Sequence, residues 1–321
     1  MATVSGSAEA VLRDGRFCYV AADAKQGPHI TPVVYVLDGH RLWLTTARGS
    51  VKARSWARDP MAGALVRHGD RAVTLRGRVS VYDAMDPATW PVSALRAPLL
   101  LRATARFSIK NVLYFAGYAR DAPRVPLAWT PPGRILASID LDHGAVLDLD
   151  RGRIVERWGT WGSRISPRTT FEVTPRRRMP DREAPGDLRE VLGESGDGVI
   201  GLLGSAGHAV LPCRWARAAA EGAFYVVLPR RQLSLVSPKA RGVGSLVIDR
   251  ASHWRAAEMT GLLLRGEVEV FLPSRVRSRR AGLLSRAERA GPMPDDPAVL
   301  RLRPKEAVWW KGWSSGTVGR H

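Results

Sequence analysis

Leu42-Trp43-Leu44-Thr45-Thr46-Ala47-Arg48-Gly49-Ser50-Val51-Lys52-Ala53-Arg54-Ser55-Trp56-Ala57-Arg58-Asp59-Pro60-Met61-Ala62-Gly63-Ala64-Leu65-Val66 reads as a strand, a cationic turn and a second strand. Leu42 and Leu44 alternate about Trp43, the period of a pleated strand. Thr45 and Thr46 end that strand with hydroxyls able to meet an oxyanion, and Arg48, Gly49, Ser50, Lys52 and Arg54 follow at once. Hydroxyls, flexible backbone and cations in so short a span suit a phosphate monoester, since each supplies a charge-assisted hydrogen bond roughly twice as strong as a neutral one. The competing reading is a solvated turn, because runs of charge usually face water.

The residues upstream decide between the two. Gly27-Pro28-His29-Ile30-Thr31-Pro32-Val33-Val34-Tyr35-Val36-Leu37 is a strand that turns at Asp38-Gly39 into a second strand, a strong hairpin signal. Gly-Pro-His-x-Thr-Pro-Val, a hairpin, Thr-Thr-x-x-Gly-Ser-x-Lys-Ala-Arg, Asp-Pro, a strand and Leu75-Arg76-Gly77-Arg78-Val79 follow in order. That order resembles the pyridoxamine-phosphate-oxidase-like split β-barrel superfamily, which holds flavin and deazaflavin oxidoreductases. The resemblance runs from about Phe17 to Asp83.

The resemblance implies a mainly β fold with helices, a split barrel, and FMN or a deazaflavin (coenzyme F420) as cofactor. It implies that Thr45, Thr46, Ser50, Lys52 and Arg54 meet the cofactor phosphate, while backbone from Thr31 through Val33 to Tyr35 flanks the ring. Hydride would pass to or from a small organic substrate. In such proteins two barrels pair about a two-fold axis with the cofactor in the groove between them.

The 321 residues suffice for two domains, and 45% hydrophobic with 25% charged residues is a globular composition that excludes wholesale disorder. No apolar run is long enough to span a bilayer and the first residues lack a basic-then-apolar leader, so the expectation is a cytoplasmic protein with no membrane partner. Cys18 and Cys213 lie far apart and fit neither a zinc pattern nor a redox pair, which predicts packed thiols and no metal. The formal net charge of +19 raises nucleic acid as a partner. Its Arg residues are scattered, however, and the triplet Arg176-Arg177-Arg178 lacks aromatics that could stack bases, so a solvated linker is expected there.

In chain order, helix is predicted over residues 8–13, strand over 17–22, a helical turn over 55–59, and strands over 63–66 and 72–82. Gly77 inside the last strand signals a bulge or a close backbone approach. Residues 84–122 carry helical spacing broken at Pro91 and Pro98, read as helical cover over a barrel opening. Strand returns over 134–150 with a turn near His143-Gly144.

The second half repeats the first. Residues 224–248 align with 42–66 without a gap, and Leu264-Arg265-Gly266-Glu267-Val268 answers Leu75-Arg76-Gly77-Arg78-Val79. Domains are therefore placed at 1–163, a first barrel with the phosphate cradle, 164–186, a Pro/Arg-rich linker, and 187–321, a second, degenerate barrel. Thr46, Lys52 and Arg54 are opposed by Leu228, Ser234 and Val236, which predicts one site, not two. Such a chain is a monomer with an internal pseudo-dimer, or a homodimer of them.

His29 and His208 fall at near-equivalent places, which favours a role in the fold. Trp309, Trp310 and Trp313 are expected to pack between barrels. Residues 275–289 form a basic stretch read as a solvated cover helix. Neither a dinucleotide fingerprint, a Walker motif nor a nucleophile elbow occurs. Two readings stand: a flavin- or deazaflavin-dependent oxidoreductase, and a non-catalytic carrier or sensor on the same fold whose cations meet the propionates of haem.

Overall fold

The computed structural model describes residues 4–24, 27–126, 130, 133–161, 188, 190, 192–204, 207–250, 252, 255–272 and 285–318. Strands β1 (Phe17–Ala22), β2 (His29–Asp38), β3 (Arg41–Ala47), β4 (Met61–His68), β5 (Arg71–Tyr82) and β6 (Arg134–Asp140) form a closed antiparallel barrel in the order β1-β2-β3-β6-β5-β4, with β4 returning to β1. Cys18, Val20, Tyr35, Leu42, Leu44, Leu75 and Ile139 fill its interior, the alternation visible in the sequence. Helix α1 (Gly6–Asp14), capped by the Ser5 hydroxyl on the Ala8 amide, lays Val11 and Leu12 against this core. The Tyr35 hydroxyl donates to the Leu12 carbonyl at 2.7 Å and ties the helix down.

Gly77 is where the barrel splits. One edge of β5 pairs with β4 from Arg71 to Arg78, while its other edge pairs first with β7 (His143–Asp148) and then, past Gly77, with β6. A Cβ at Gly77 would lie 1.6 Å from the Asp140 carbonyl oxygen, so only glycine permits the crossing. β8 (Arg153–Trp158) pairs along β7.

The second barrel has the same strand order. β9 (Ser195–Gly204), β10 (Gly207–Ala218), β11 (Ala223–Pro229), β12 (Arg241–Arg250), β13 (Thr260–Phe271) and β14 (Pro297–Lys311) close as β9-β10-β11-β14-β13-β12, and β15 (Ser314–Val318) follows β14. β3 and β11 each have seven residues, and β5 and β13 each have twelve. Gly266 repeats the role of Gly77: its Cβ would sit 2.0 Å from the Arg303 carbonyl oxygen, beside a register shift in the β13–β14 ladder.

Several local expectations change. The cationic turn is a helix, α2 (Val51–Trp56), because the Ser50 hydroxyl accepts the Ala53 amide and caps it. Pro91 and Pro98 start helices rather than break them, occupying the first turns of α3 (Trp90–Leu95) and α4 (Ala97–Lys110), where a missing amide hydrogen costs nothing. With α5 (Val112–Asp121) these form a layer whose middle helix packs on the outer face of β2 and β3 through Ala103 and Phe107, not over a barrel mouth. The interruption between β6 and β7 falls at Leu141-Asp142, ahead of the turn expected near His143-Gly144, because the chain moves along the β5 edge instead of reversing. The linker at 164–186 and most of the basic stretch at 275–289 lie outside the described residues.

The two barrels share one core cluster in which Ala21, Ile30 and Leu65 of the first meet Ile200, Val210 and Leu246 of the second. Polar contacts lock the seam: His208 with Asp23, the Ser245 hydroxyl with the Pro28 carbonyl, and the Tyr19 hydroxyl donating to Asp249 at 3.1 Å. Cys18 and Cys213 are buried, free thiols. Burial pushes the Asp249 carboxyl up to about 6 against the pull of Tyr19 and Arg67. A carboxyl raised in the folded state adds stability below its unfolded value, near ~4, and loses it as pH rises through about 6, by at most roughly 3 kcal/mol. In urea unfolding followed from about pH 4 to about pH 7, Asp249→Asn should therefore lose less stability than the parent chain. Parallel slopes would contradict this.

Candidate functional site

The strand end β3 and the cap of α2 bring the sequence-predicted hydroxyls together. The Thr46 and Ser50 hydroxyls lie 3.1 Å apart. Lys52 projects from the buried side of α2, is 5% exposed, and donates to the Thr31 hydroxyl on β2. Arg134, which opens β6 opposite Ala47, reaches along the ladder and donates to the Thr45 hydroxyl at 2.7 Å and to its carbonyl at 3.0 Å. Lys52 with Thr31, and Thr46 with Ser50, stand on the barrel-facing side of β2 and β3, while Arg134 with Thr45 stands on the other face of β3. Burial, with the Arg134 charge beside it, brings the Lys52 ammonium down to about 8. Among the described residues neither Lys52 nor Arg134 is paired with a carboxylate; each is held by hydroxyl and carbonyl oxygens.

The remaining sequence-predicted residues part company. Val33 packs against the barrel core, and the Tyr35 ring lies inside it, so each offers a ligand only its backbone. That backbone is placed to do so. β2 pairs with β1 as far as Val34 but with β3 only over Tyr35–Asp38, which leaves the β3-facing edge of residues 31–34 without a strand partner among the described residues. Arg54 is exposed on the solvent side of α2. Arg48 grips Asp83 through two bonds of 2.6 Å and braces the turn. Arg134 escaped the sequence reading altogether, because its approach to Thr45 depends on a pairing between strands some ninety residues apart. No local pattern marks it.

The cluster faces the seam between barrels. His29 is buried with Nδ1 unpartnered among the described residues, and burial, then the charges of Lys52 and Arg265, hold its imidazole well below the usual range and therefore neutral. Arg265 belongs to the second barrel, where it pairs with Glu306 at 2.7 Å. Tyr114 and Tyr118 of α5 feel the Arg134 charge, and the second barrel meets them in turn: Met259 sulfur lies 3.5 Å from the Tyr114 hydroxyl, and Trp313 packs edge-on to Tyr118 at 4.8 Å. Trp309 and Trp310 pack against the shared core cluster, over Gly316 and Gly261 of their own barrel.

At the matching place in the second barrel Leu228 and Val236 are buried in the core and Gln232 replaces Ser50. Ser234 stands on the surface, accepting from Arg157 at 2.8 Å. An apolar cavity of about 70 Å³ lies elsewhere in that barrel, lined by Trp215, Phe224, Ile248 and Leu264, and is remote from the cationic cluster.

Residues 5–95 match the family described as Pyridoxamine 5'-phosphate oxidase. The first barrel has the pyridoxamine 5'-phosphate oxidase-like fold. Similar solved structures include a conserved hypothetical protein from Mycobacterium tuberculosis, at 20% identity over 46% of this chain and 87% of that one with a TM-score of 0.33. A pyridoxamine 5'-phosphate oxidase-related, FMN binding protein from Nostoc punctiforme matches at 15% identity over 42% and 75% with a TM-score of 0.31. General Stress Protein 26 from Bacillus anthracis matches at 14% identity over 44% and 90% with a TM-score of 0.30. No curated protein matches the chain. In the oxidase-like barrel the family match covers β1 to β5 and α2, and so every one of the sequence-predicted site residues, but stops short of Arg134.

Proposed function

We propose that this chain binds one flavin-type cofactor, FMN or a deazaflavin, with its phosphate in the Lys52–Arg134 cluster, and uses it as an oxidoreductase on a small organic substrate. The observation that carries the reading is a pair of cations, buried Lys52 on the Thr31 hydroxyl and Arg134 on the Thr45 hydroxyl, close enough for one charge to act on the other and neither paired with a carboxylate among the described residues. A phosphate dianion satisfies both cations and relieves their mutual repulsion.

Lys52 and Arg134 would hold the phosphate, Arg134 by two parallel donors and Lys52 as a point charge. Thr45, Thr46 and Ser50 would orient it. The unpaired edge of β2 at residues 31–34 supplies amide and carbonyl groups for the rim of a planar heterocycle, and α5 with Trp313 walls the opposite side from water. When bound, such a cofactor supplies hydride transfer, and the protein's part is orientation and electrostatics.

Titration of the purified chain with FMN, with deazaflavin and with haem, read by quenching of its 11 tryptophans and by absorbance, tests the reading. Saturable one-to-one binding of FMN or deazaflavin is expected. Because Lys52 is cationic only below about 8, flavin affinity should fall as pH rises through that value, by about tenfold or more between pH ~7 and pH ~10. Binding of haem alone would replace the oxidoreductase reading with that of a carrier.

A further inference from the structure

We infer that helices α3 to α5 dock the protein on an anionic lipid surface. Among the described residues ten large apolar side chains are exposed, and all but Val155 lie between Met85 and Phe115. Leu95 is 84% exposed, Leu101 73% and Ile109 75%. A helix on a globular protein normally shows one apolar stripe toward the core. α4 has that stripe in Ala103 and Phe107, and a second one on its far side in Leu101, Ala105 and Ile109. Val112 and Leu113 of α5, with Trp90 and Val92 of α3, continue the outer patch on the helices that pack against α4. Apolar patches of this kind mark surfaces that something covers.

Charge says what covers it. From Trp90 to Arg120 the chain carries Arg96, Arg102, Arg106 and Arg120, besides Lys110 turned inward over the Tyr35 ring, and no Asp or Glu. Arg102 and Arg106 both lean on Asp38, at 2.9 and 2.6 Å, yet each remains more than half exposed. A second copy of the chain would meet this face with the same face, setting cations against cations with no carboxylate in the segment to answer them. Nucleic acid would complement the charge but not the aliphatic Leu95, Leu101 and Ile109, which offer bases nothing to stack on. An anionic bilayer complements both, taking apolar side chains below its headgroups while the arginines stay among the phosphates. No described helix is long and apolar enough to cross a membrane, so the contact is peripheral.

The test is co-sedimentation of the purified full chain with vesicles of phosphatidylcholine alone and of phosphatidylcholine containing about a quarter phosphatidylglycerol. Partition into the second kind only, weakened by salt, is expected. Leu101→Gln with Ile109→Gln should lower it about tenfold or more while leaving thermal unfolding unchanged, since both side chains are solvent-exposed. Absence of partition, equal partition of the double variant, or a concentration-dependent dimer dissociated by that variant would each overturn the inference.

Discussion

Replacing Lys52 and Arg134 together by alanine should reduce flavin affinity by about a hundredfold or more, because each charge-assisted bond to phosphate is worth roughly 1.5 to 3 kcal/mol. Arg54→Ala should change affinity by less than about threefold, since an exposed cation contributes little at a fixed site. The contrast matters more than either number. Arg54 and Lys52 stand two residues apart in the same cationic run, yet α2 turns one toward solvent and the other toward Thr31. Lys52→Met separates binding from folding: it keeps the buried stem and removes a charge that burial disfavours, so the variant should be at least as stable as the parent while binding flavin poorly. Isothermal titration of the variants with FMN decides the matter. Full affinity in the Lys52/Arg134 double variant, with loss in Arg54→Ala, would move the phosphate to the outer face of α2.

Gly77→Ala should be the most damaging single substitution in the first barrel, costing about 3 kcal/mol or more and, in the extreme, soluble expression. The added methyl would stand 1.6 Å from the Asp140 carbonyl oxygen, which is backbone held in the β3–β6 ladder and has no rotamer into which to escape. Gly266→Ala should act alike in the second barrel, where the obstruction is the Arg303 carbonyl at 2.0 Å. Gly49→Ala is the control: among the described residues nothing lies within 4 Å of its Cβ, and a change within about 0.5 kcal/mol is expected. Urea unfolding of the three variants compares them directly. Normal stability of Gly77→Ala would mean that β5 does not pass from β7 to β6 as the structure has it.

These glycines also show why the fold was legible in the chain. The Leu-Arg-Gly triplet at Leu75-Arg76-Gly77 and again at Leu264-Arg265-Gly266 marks the same crossing twice, and a requirement for the absence of a side chain is written in one residue. The Asp38-Gly39 turn, the alternation of β3 and β5 and the gapless match of β3 with β11 are local in the same sense. Where the reading went astray, two local signals competed. Ser50 could end a loop or cap a helix, and the cap prevails because Lys52, Ser55 and Trp56 gain burial by it. Pro91 and Pro98 could break helices or begin them, and both begin them.

Of the candidate site, the sequence by itself determined the hydroxyls, Lys52 and the asymmetry between halves, since Leu228, Ser234 and Val236 cannot reproduce a cationic cradle in any arrangement. Only the tertiary structure decided which cations share the cradle. Arg134 enters because β6 closes against β3 across the whole helical layer, Arg48 leaves because Asp83 comes within reach, and Arg54 leaves because one helical turn sets its direction. The outer apolar face of α3 to α5 belongs with these. Its Leu and Ile residues look like core in the chain, and only the closed barrel beneath, already filled, leaves them facing outward. Periodicity and turn chemistry act between neighbours along the chain and so are written there. Pairing partners, the direction of a long cation and the exposure of an apolar face depend on what the rest of the chain has already occupied.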